Sequence, residues 1–302
     1  MAKSAGRVKV SWPWVSRVRG LIVEQFAADV FPILEPSQLE ALLPGKMLRT
    51  RLAGRWMEAG LPADRRTVEA CCAAVELAHT GSLCHDDVID AGLIRRAAPT
   101  LWRQTGCSAA VLIGDVLVCR AIELVLSVEG GRHAACFLAK VRQTVAAEAE
   151  QELLLRNHSI DEPTYLRLAR GKTGALFSFA AKVCGGADEA LAAALEEAGY
   201  RIGTAYQLAD DLLDVIGTEA AAGKTLGTDA VRGKSTLAGK DAPGFPATCG
   251  HVSELCQSAL ELLRPWPVAF EAAAAFLAED LQPLLDDQHL PLDLRAVVTG
   301  VP

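Results

Sequence analysis

Apolar residues recur three and four positions apart through most of the chain, the spacing that lays them along one face of an α-helix. Residues 21–31 show it first, and residues 66–84 form a long amphipathic stretch rich in Ala and Cys. Residues 111–128, 134–155 and 187–216 read the same way. Ser159 and Glu162 stand three apart with Pro163 alongside, the pattern of a capping box. It predicts a helix running toward Val183 and halted by Gly185-Gly186. Shorter helices are expected at 252–263 and 269–285. Between the last long helix and these, residues 217–250 are rich in Gly, Thr and Lys. A loop that long inside a compact domain usually serves a site. No β–α–β alternation is visible, so the pattern predicts an all-α fold over residues 1–302 in one domain, with 1–15 as a frayed arm.

Composition narrows the class. Hydrophobic residues make up 51% and charged residues 22%, enough apolar surface for a sizeable core. Aromatics are 5%, too few for a large β-sandwich. The net charge of −7 argues against a general nucleic-acid binder, although a local basic cluster can still take an anionic substrate. No apolar run approaches the ~20 residues that span a bilayer. Lys3, Arg7, Lys9, Arg17 and Arg19 precede the first acid, Glu24. They could form a transit peptide or a membrane-surface arm; a frayed arm leading into the first helix is the reading adopted. Nine cysteines are scattered without a CxxC pair, as small buried hydrophobes in a reducing, cytoplasmic setting would be. Gly171-Lys172-Thr173, Gly223-Lys224-Thr225 and Gly233-Lys234-Ser235 resemble the tail of a P-loop. Each lacks the earlier Gly, where Leu166, Thr218 and Thr228 stand instead, so that reading fails.

The chemistry lies in two DDxxD clusters, Asp86-Asp87-Val88-Ile89-Asp90 and Asp210-Asp211-Leu212-Leu213-Asp214, each within an apolar helical context. On a helix the first and last Asp share a face. Carboxylates crowded there repel one another unless a cation neutralises them. Mg²⁺ suits such a place, because it is typically held by one or two carboxylates plus substrate phosphates. Basic residues complete the picture: Gly45-Lys46 and Arg49, Arg95-Arg96, Lys172-Thr173, and Lys224 and Lys234 in the Gly-rich loop. Together they suggest more than one diphosphate group.

These motifs resemble the trans-isoprenyl diphosphate synthases (polyprenyl synthetases). The matching stretches are Glu76-Leu77-Ala78-His79, His85 to Asp90 with Arg95-Arg96, Pro99-Thr100, Gly114-Asp115, Lys172-Thr173, Tyr206-Gln207 with the second Asp cluster, and Gly223 to Lys234. The likeness covers roughly residues 40–240. It implies antiparallel helices around a large central cavity and a homodimer. It also implies a reaction in which Mg²⁺, three ions per site, helps the diphosphate of an allylic substrate to leave. The double bond of isopentenyl diphosphate attacks the resulting cation, and loss of a proton leaves a chain longer by five carbons.

By the resemblance, Asp86, Asp87, Asp90, Asp210, Asp211 and Asp214 bind the metals. Arg95, Lys172, Lys224 and Lys234 hold the allylic diphosphate, and Lys46, Arg49, His79 and Arg96 hold isopentenyl diphosphate. Lys172, Thr173 and Gln207 line the reacting centre. The growing chain is expected beside the helix that ends in the first Asp cluster, past the small residues Ser82, Gly81, Ala78, Val75 and Ala74, giving products of C20 or longer. The chain departs from the family at Pro44-Gly45-Lys46-Met47-Leu48-Arg49-Thr50, where the usual motif is Gly-Gly-Lys-Arg-x-Arg-Pro, and at Ala97, where a Gly is usual. After Thr236 the likeness fades. Two other readings were weighed. A class I terpene cyclase normally carries an Asn/Ser/Glu triad in place of the second Asp cluster, and a non-catalytic subunit of a heteromeric synthase commonly loses its Asp clusters.

Overall fold

The computed structural model describes residues 13–96, 98–158, 160–216, 244–287 and 290–299. These form an all-α domain whose one departure, among the described residues, is a two-stranded antiparallel ribbon, Ile94–Arg95 against Ala98–Pro99. The helices are α1 (Pro13–Asp29), α2 (Pro36–Leu42), α3 (Leu48–Glu58), α4 (Arg65–Ile89), α5 (Leu101–Thr105), α6 (Cys107–Leu126), α7 (Ala134–Leu153), α8 (Glu162–Ala169), α9 (Ala175–Val183) and α10 (Glu189–Ile216). After the loop come α11 (Gly244–Leu263), α12 (Pro267–Ala275), α13 (Gln282–Asp286) and α14 (Leu294–Thr299). None is long and apolar enough to cross a membrane.

α4 is the spine of the fold. Asp64 caps its start, accepting from the Thr67 amide at 2.8 Å and the Thr67 hydroxyl at 2.9 Å. Its Ala- and Cys-rich middle is buried from Cys71 to Ala78, against α6 on one side and α9 on another. At Gly81 the crossing with α6 is so close that a Cβ would come within 2.7 Å of the Gly114 carbonyl. α10 packs in turn on α9 and α11. A Cβ on Gly203 would come within 2.8 Å of the Gly174 Cα, just before α9, and of the Phe177 Cβ within α9, so the bare glycine lets α10 lie close against this segment.

Three local expectations are corrected. The N-terminal arm is fixed by residue 13, not 16. Trp14 is fully buried and its indole N–H donates to the Thr50 carbonyl at 3.0 Å, a large apolar anchor that fraying would expose. The helix at 162 is capped by Asp161, which accepts from the Thr164 amide at 3.0 Å; Ser159 lies outside the described residues. The Gly-rich segment ends sooner than expected, because α11 starts at Gly244. The rest of that segment, 217–243, lies outside the described residues.

Candidate active site

A cavity of about 710 Å³ lies between α4, α7, α9 and α10 and is closed at one end by the loop before α3. Asp86 and Asp90 line it from α4, and Asp210 from α10. Four residues span 400° on a helix, which returns Asp90 to the Asp86 face, whereas Asp87 is turned 100° away. Asp87 is buried and takes both oxygens to Arg95 Nε at 2.9 and 3.0 Å, with Arg95 Nη2 at 2.7 Å. Asp211 likewise accepts from Gln207 Nε2 at 2.7 Å and from the Tyr165 hydroxyl. Asp87, Asp211 and Asp214 are not part of the cavity wall. Of the six carboxylates read from the two clusters, three therefore face the space and two brace its wall through Arg95 and Gln207.

Lys172 and Thr173 enter from a π-helical turn, Arg170–Gly174, between α8 and α9. Such turns widen the helix by one residue and bring neighbouring side chains onto one face. Lys172 pairs with Glu148 at 2.5 Å and donates to Gln151 at 2.8 Å. The Thr173 hydroxyl donates to Gln207. Glu148 and Glu152 belong to the wall and Gln151 supports Lys172, yet the sequence reading passed over all three. Their signal is present in the sequence: Glu148 and Glu152 repeat the four-residue spacing of Asp86 and Asp90.

Burial pushes Asp86 up to about 7, and Glu148 across the cavity adds to the rise against the opposing pull of Lys172. This carboxylate pays for its charge in the absence of a cation, as expected of a metal ligand. Among the described residues no three such ligands are grouped to cage an ion by themselves. Carboxylates on opposite walls suit Mg²⁺ that takes its other oxygens from substrate and water.

The other end of the cavity is cationic. Lys46, Arg49, His79 and Arg96 line it, and Arg95 is near enough to both His79 and Asp86 to act on each. Arg49 is buried, its guanidinium lies 5.2 Å from the centre of the Phe177 ring, and its Nε has no hydrogen-bond partner among the described residues. Burial lowers its pKa against the pull of Glu76, a carboxylate that accepts from the Thr50 hydroxyl at 2.9 Å. Burial, with Arg49, Arg96 and Arg95 nearby, holds His79 well below its ordinary value, so the imidazole is neutral near pH 7. Arg95 is disfavoured by burial, but Asp87 overcomes this and raises it. Tyr206, half-buried beside Phe177 with ring centres 6.2 Å apart, completes this wall. Lys224 and Lys234 lie outside the described residues.

The proposed chain-length residues divide. Ser82 faces the cavity, with Leu83, Ile89, Val145, Ala149 and Leu153 as apolar neighbours in the wall. Gly81, Ala78, Val75 and Ala74 do not reach it. They are packed inside the domain, and Gly81 stands against α6, where small residues let the two helices touch.

The comparisons agree with this geometry. The polyprenyl synthetase family profile matches residues 33–242. A short chain isoprenyl diphosphate synthase of Methanothermobacter thermautotrophicus is 35% identical over 226 residues, covering 71% of this chain and 69% of that protein. An octaprenyl diphosphate synthase of Haemophilus influenzae is 36% identical over 170 residues, covering 55% of this chain; the chain thus spans about half, 52%, of that relative. A polyprenyl synthase of Caulobacter crescentus, solved with calcium and isoprenyl diphosphate, superposes with a TM-score of 0.67 at 26% identity over 94% of both chains. On the profile match, the identities and the shared helical architecture, the chain belongs to the polyprenyl synthetase family.

Proposed function

We propose that this protein is a Mg²⁺-dependent trans-prenyltransferase that joins an allylic diphosphate to isopentenyl diphosphate. The observation that carries the reading is the division of one cavity into two ends. Asp86 and Asp90 line it from the C-terminal end of α4 and Asp210 from α10, while Lys46, Arg49, His79 and Arg96 line it from the segment before α3, from α3, from α4 and from the ribbon. A cyclase needs one diphosphate site; the two sets of residues support a reading with two.

When bound, Mg²⁺ would be held by Asp86, Asp90 and Asp210 and would supply Lewis-acid assistance to a departing diphosphate. Arg95, fixed by Asp87, and Lys172 place positive charge beside that leaving group. The hydroxyl of Thr173 and the amide of Gln207 offer oxygen dipoles where a carbocation develops. Lys46, Arg49 and Arg96 hold the second diphosphate, with neutral His79 as a hydrogen-bonding neighbour. The apolar wall of Leu83, Val145, Ala149, Leu176 and Phe177 keeps water from the cation and receives the chain. Products of C20 or longer, a cytoplasmic setting and three Mg²⁺ per site complete the reading. So does a homodimer, supported by exposed apolar residues of α6 and α7 outside the cavity wall: Leu112, Leu126 and Leu138.

The test is purified protein with Mg²⁺, isopentenyl diphosphate and each short allylic diphosphate in turn, products read by mass spectrometry. Stepwise C5 extension is expected. A cyclic hydrocarbon made without isopentenyl diphosphate would establish a cyclase, and no turnover with any primer would point to a partner subunit.

A further inference from the structure

The turn that carries Lys46 departs from its family's usual sequence and bends through Met47 with φ 51° and ψ 44°. A non-glycine residue in this left-handed region costs on the order of 1–3 kcal/mol and persists where its surroundings hold it. Three arginines do so. Arg96 Nη1 donates to the Leu43 carbonyl, and its guanidinium lies so close over Gly45 that a Cβ there would come within 2.9 Å of Nε. Arg19 Nη2 stands 3.7 Å from Met47 Sδ. Arg51 Nε donates to the carbonyl of Lys46 itself at 2.9 Å.

Arg51 is tied in turn to a group that plays no part in the cavity. Its Nη1 reaches Asp280 Oδ1 at 3.3 Å, and Arg55 Nε reaches the other oxygen at 2.7 Å. The Asp280 side chain is 3% exposed. It sits in the π-helical turn Phe276–Leu281, beyond residue 242, where the family profile match ends. A buried carboxylate needs partners, and this one receives two guanidinium groups from successive turns of α3.

We propose that Arg51 and Asp280 are positioning residues for the second diphosphate: Asp280 fixes Arg51, and Arg51 fixes the backbone from which Lys46 reaches its ligand. The inference rests on Lys46 serving isopentenyl diphosphate. A lysine ammonium rides on a flexible four-carbon stem, so its reach is set by where its backbone is held. Arg55 also pairs with Glu279 at 2.8 Å, so α3 stays docked on this C-terminal segment when Arg51 is replaced. The brace can therefore be removed without removing the interface.

The experiment compares wild type with Arg51→Met, Asp280→Asn, Lys46→Ala and the double variant Arg51→Met/Lys46→Ala. Steady-state constants are measured separately for each substrate, and amide exchange of residues 43–47 is followed by mass spectrometry. Arg51→Met should raise KM for isopentenyl diphosphate about five- to twenty-fold and leave the allylic KM within about two-fold. Asp280→Asn should act in the same direction. In the Lys46→Ala background, Arg51→Met should add nothing, because the group it positions is gone. Exchange in the turn should quicken in Arg51→Met. Equal rises in both KM values, or full additivity with Lys46→Ala, would overturn the positioning role. Unchanged exchange would overturn the brace itself. A wild type that never consumes isopentenyl diphosphate would instead overturn the reading of the site, and the ligand named here with it.

Discussion

Replacing Asp86 by Asn removes one charge from the cavity and keeps the side chain's shape. In the folded protein Asp86 is pushed up to about 7, from an ordinary value of 3.8. Between those values the folded protein holds a proton that the unfolded chain has lost. Stability therefore falls as pH rises through this window, and above it the full penalty remains. Three units at ~1.36 kcal/mol each set a ceiling of about 4 kcal/mol. Because the carboxylate opens on the cavity, about 1–2 kcal/mol is the realistic share. For a chain of 302 residues that is roughly 2–3 °C in Tm. Calorimetry in EDTA should find Asp86→Asn more stable than wild type by that amount at pH 8. At pH 5 the gain should shrink to about a third, since folded Asp86 is then already protonated. Mg²⁺ with inorganic pyrophosphate should raise the wild-type Tm and move the variant much less, and the variant should lose turnover. A variant no more stable than wild type at pH 8, or equally stabilised at both pH values, would refute the account of this carboxylate.

Three further outcomes are expected. Ser82→Phe should shorten the product, as read by mass spectrometry, whereas Gly81→Ala should leave its length unchanged and lower stability by about 1–3 kcal/mol through the clash with the Gly114 carbonyl. Lys46→Ala should raise KM for isopentenyl diphosphate by one to two decades, the loss of an ionised hydrogen bond of about 1.5–3 kcal/mol, with the allylic KM little changed. His79, held well below 6.5 by burial and its three arginine neighbours, resists protonation in the folded protein alone, so its contribution to stability declines as pH drops below 6.5. His79→Gln should flatten the wild-type fall in Tm between pH 6.5 and 5.

Much of the site was legible because it is written in helical arithmetic. The two DDxxD clusters, their apolar flanks and the basic residues between them can be read from spacing alone. The inward turn of Asp86 and Asp90 follows from the same arithmetic. What could not be read is where each helix meets its neighbour. Gly81, Ala78 and Ala74 look identical in sequence whether they leave room for a lipid chain or for another helix; only the approach of α6 decides, and it takes Gly81. Glu148 was hidden for a related reason. A polar stripe on an amphipathic helix faces either water or an internal cavity, and α7 does the second along Glu148 and Glu152. The π-helical turn at Lys172 has no periodic signature, since it is one residue inserted into an otherwise regular helix.

Arg95 and Lys172 both line the cavity and are both assigned by the proposed function to the allylic diphosphate, but they are held differently. Arg95 is clamped by Asp87, a residue outside the cavity wall, and can add a ligand without giving up that partner. Lys172 is engaged with Glu148, which is itself in the wall. If a diphosphate draws Lys172 away, Glu148 is left facing Asp86 with less compensation, and the need for divalent cations grows at that moment. Cations arriving first would, in return, loosen the hold of Glu148 on Lys172 and release it for the diphosphate. On the proposed function, the Lys172–Glu148 pair would couple the binding of metal to that of the allylic substrate, and thermodynamic linkage would then require each to tighten the other by the same factor.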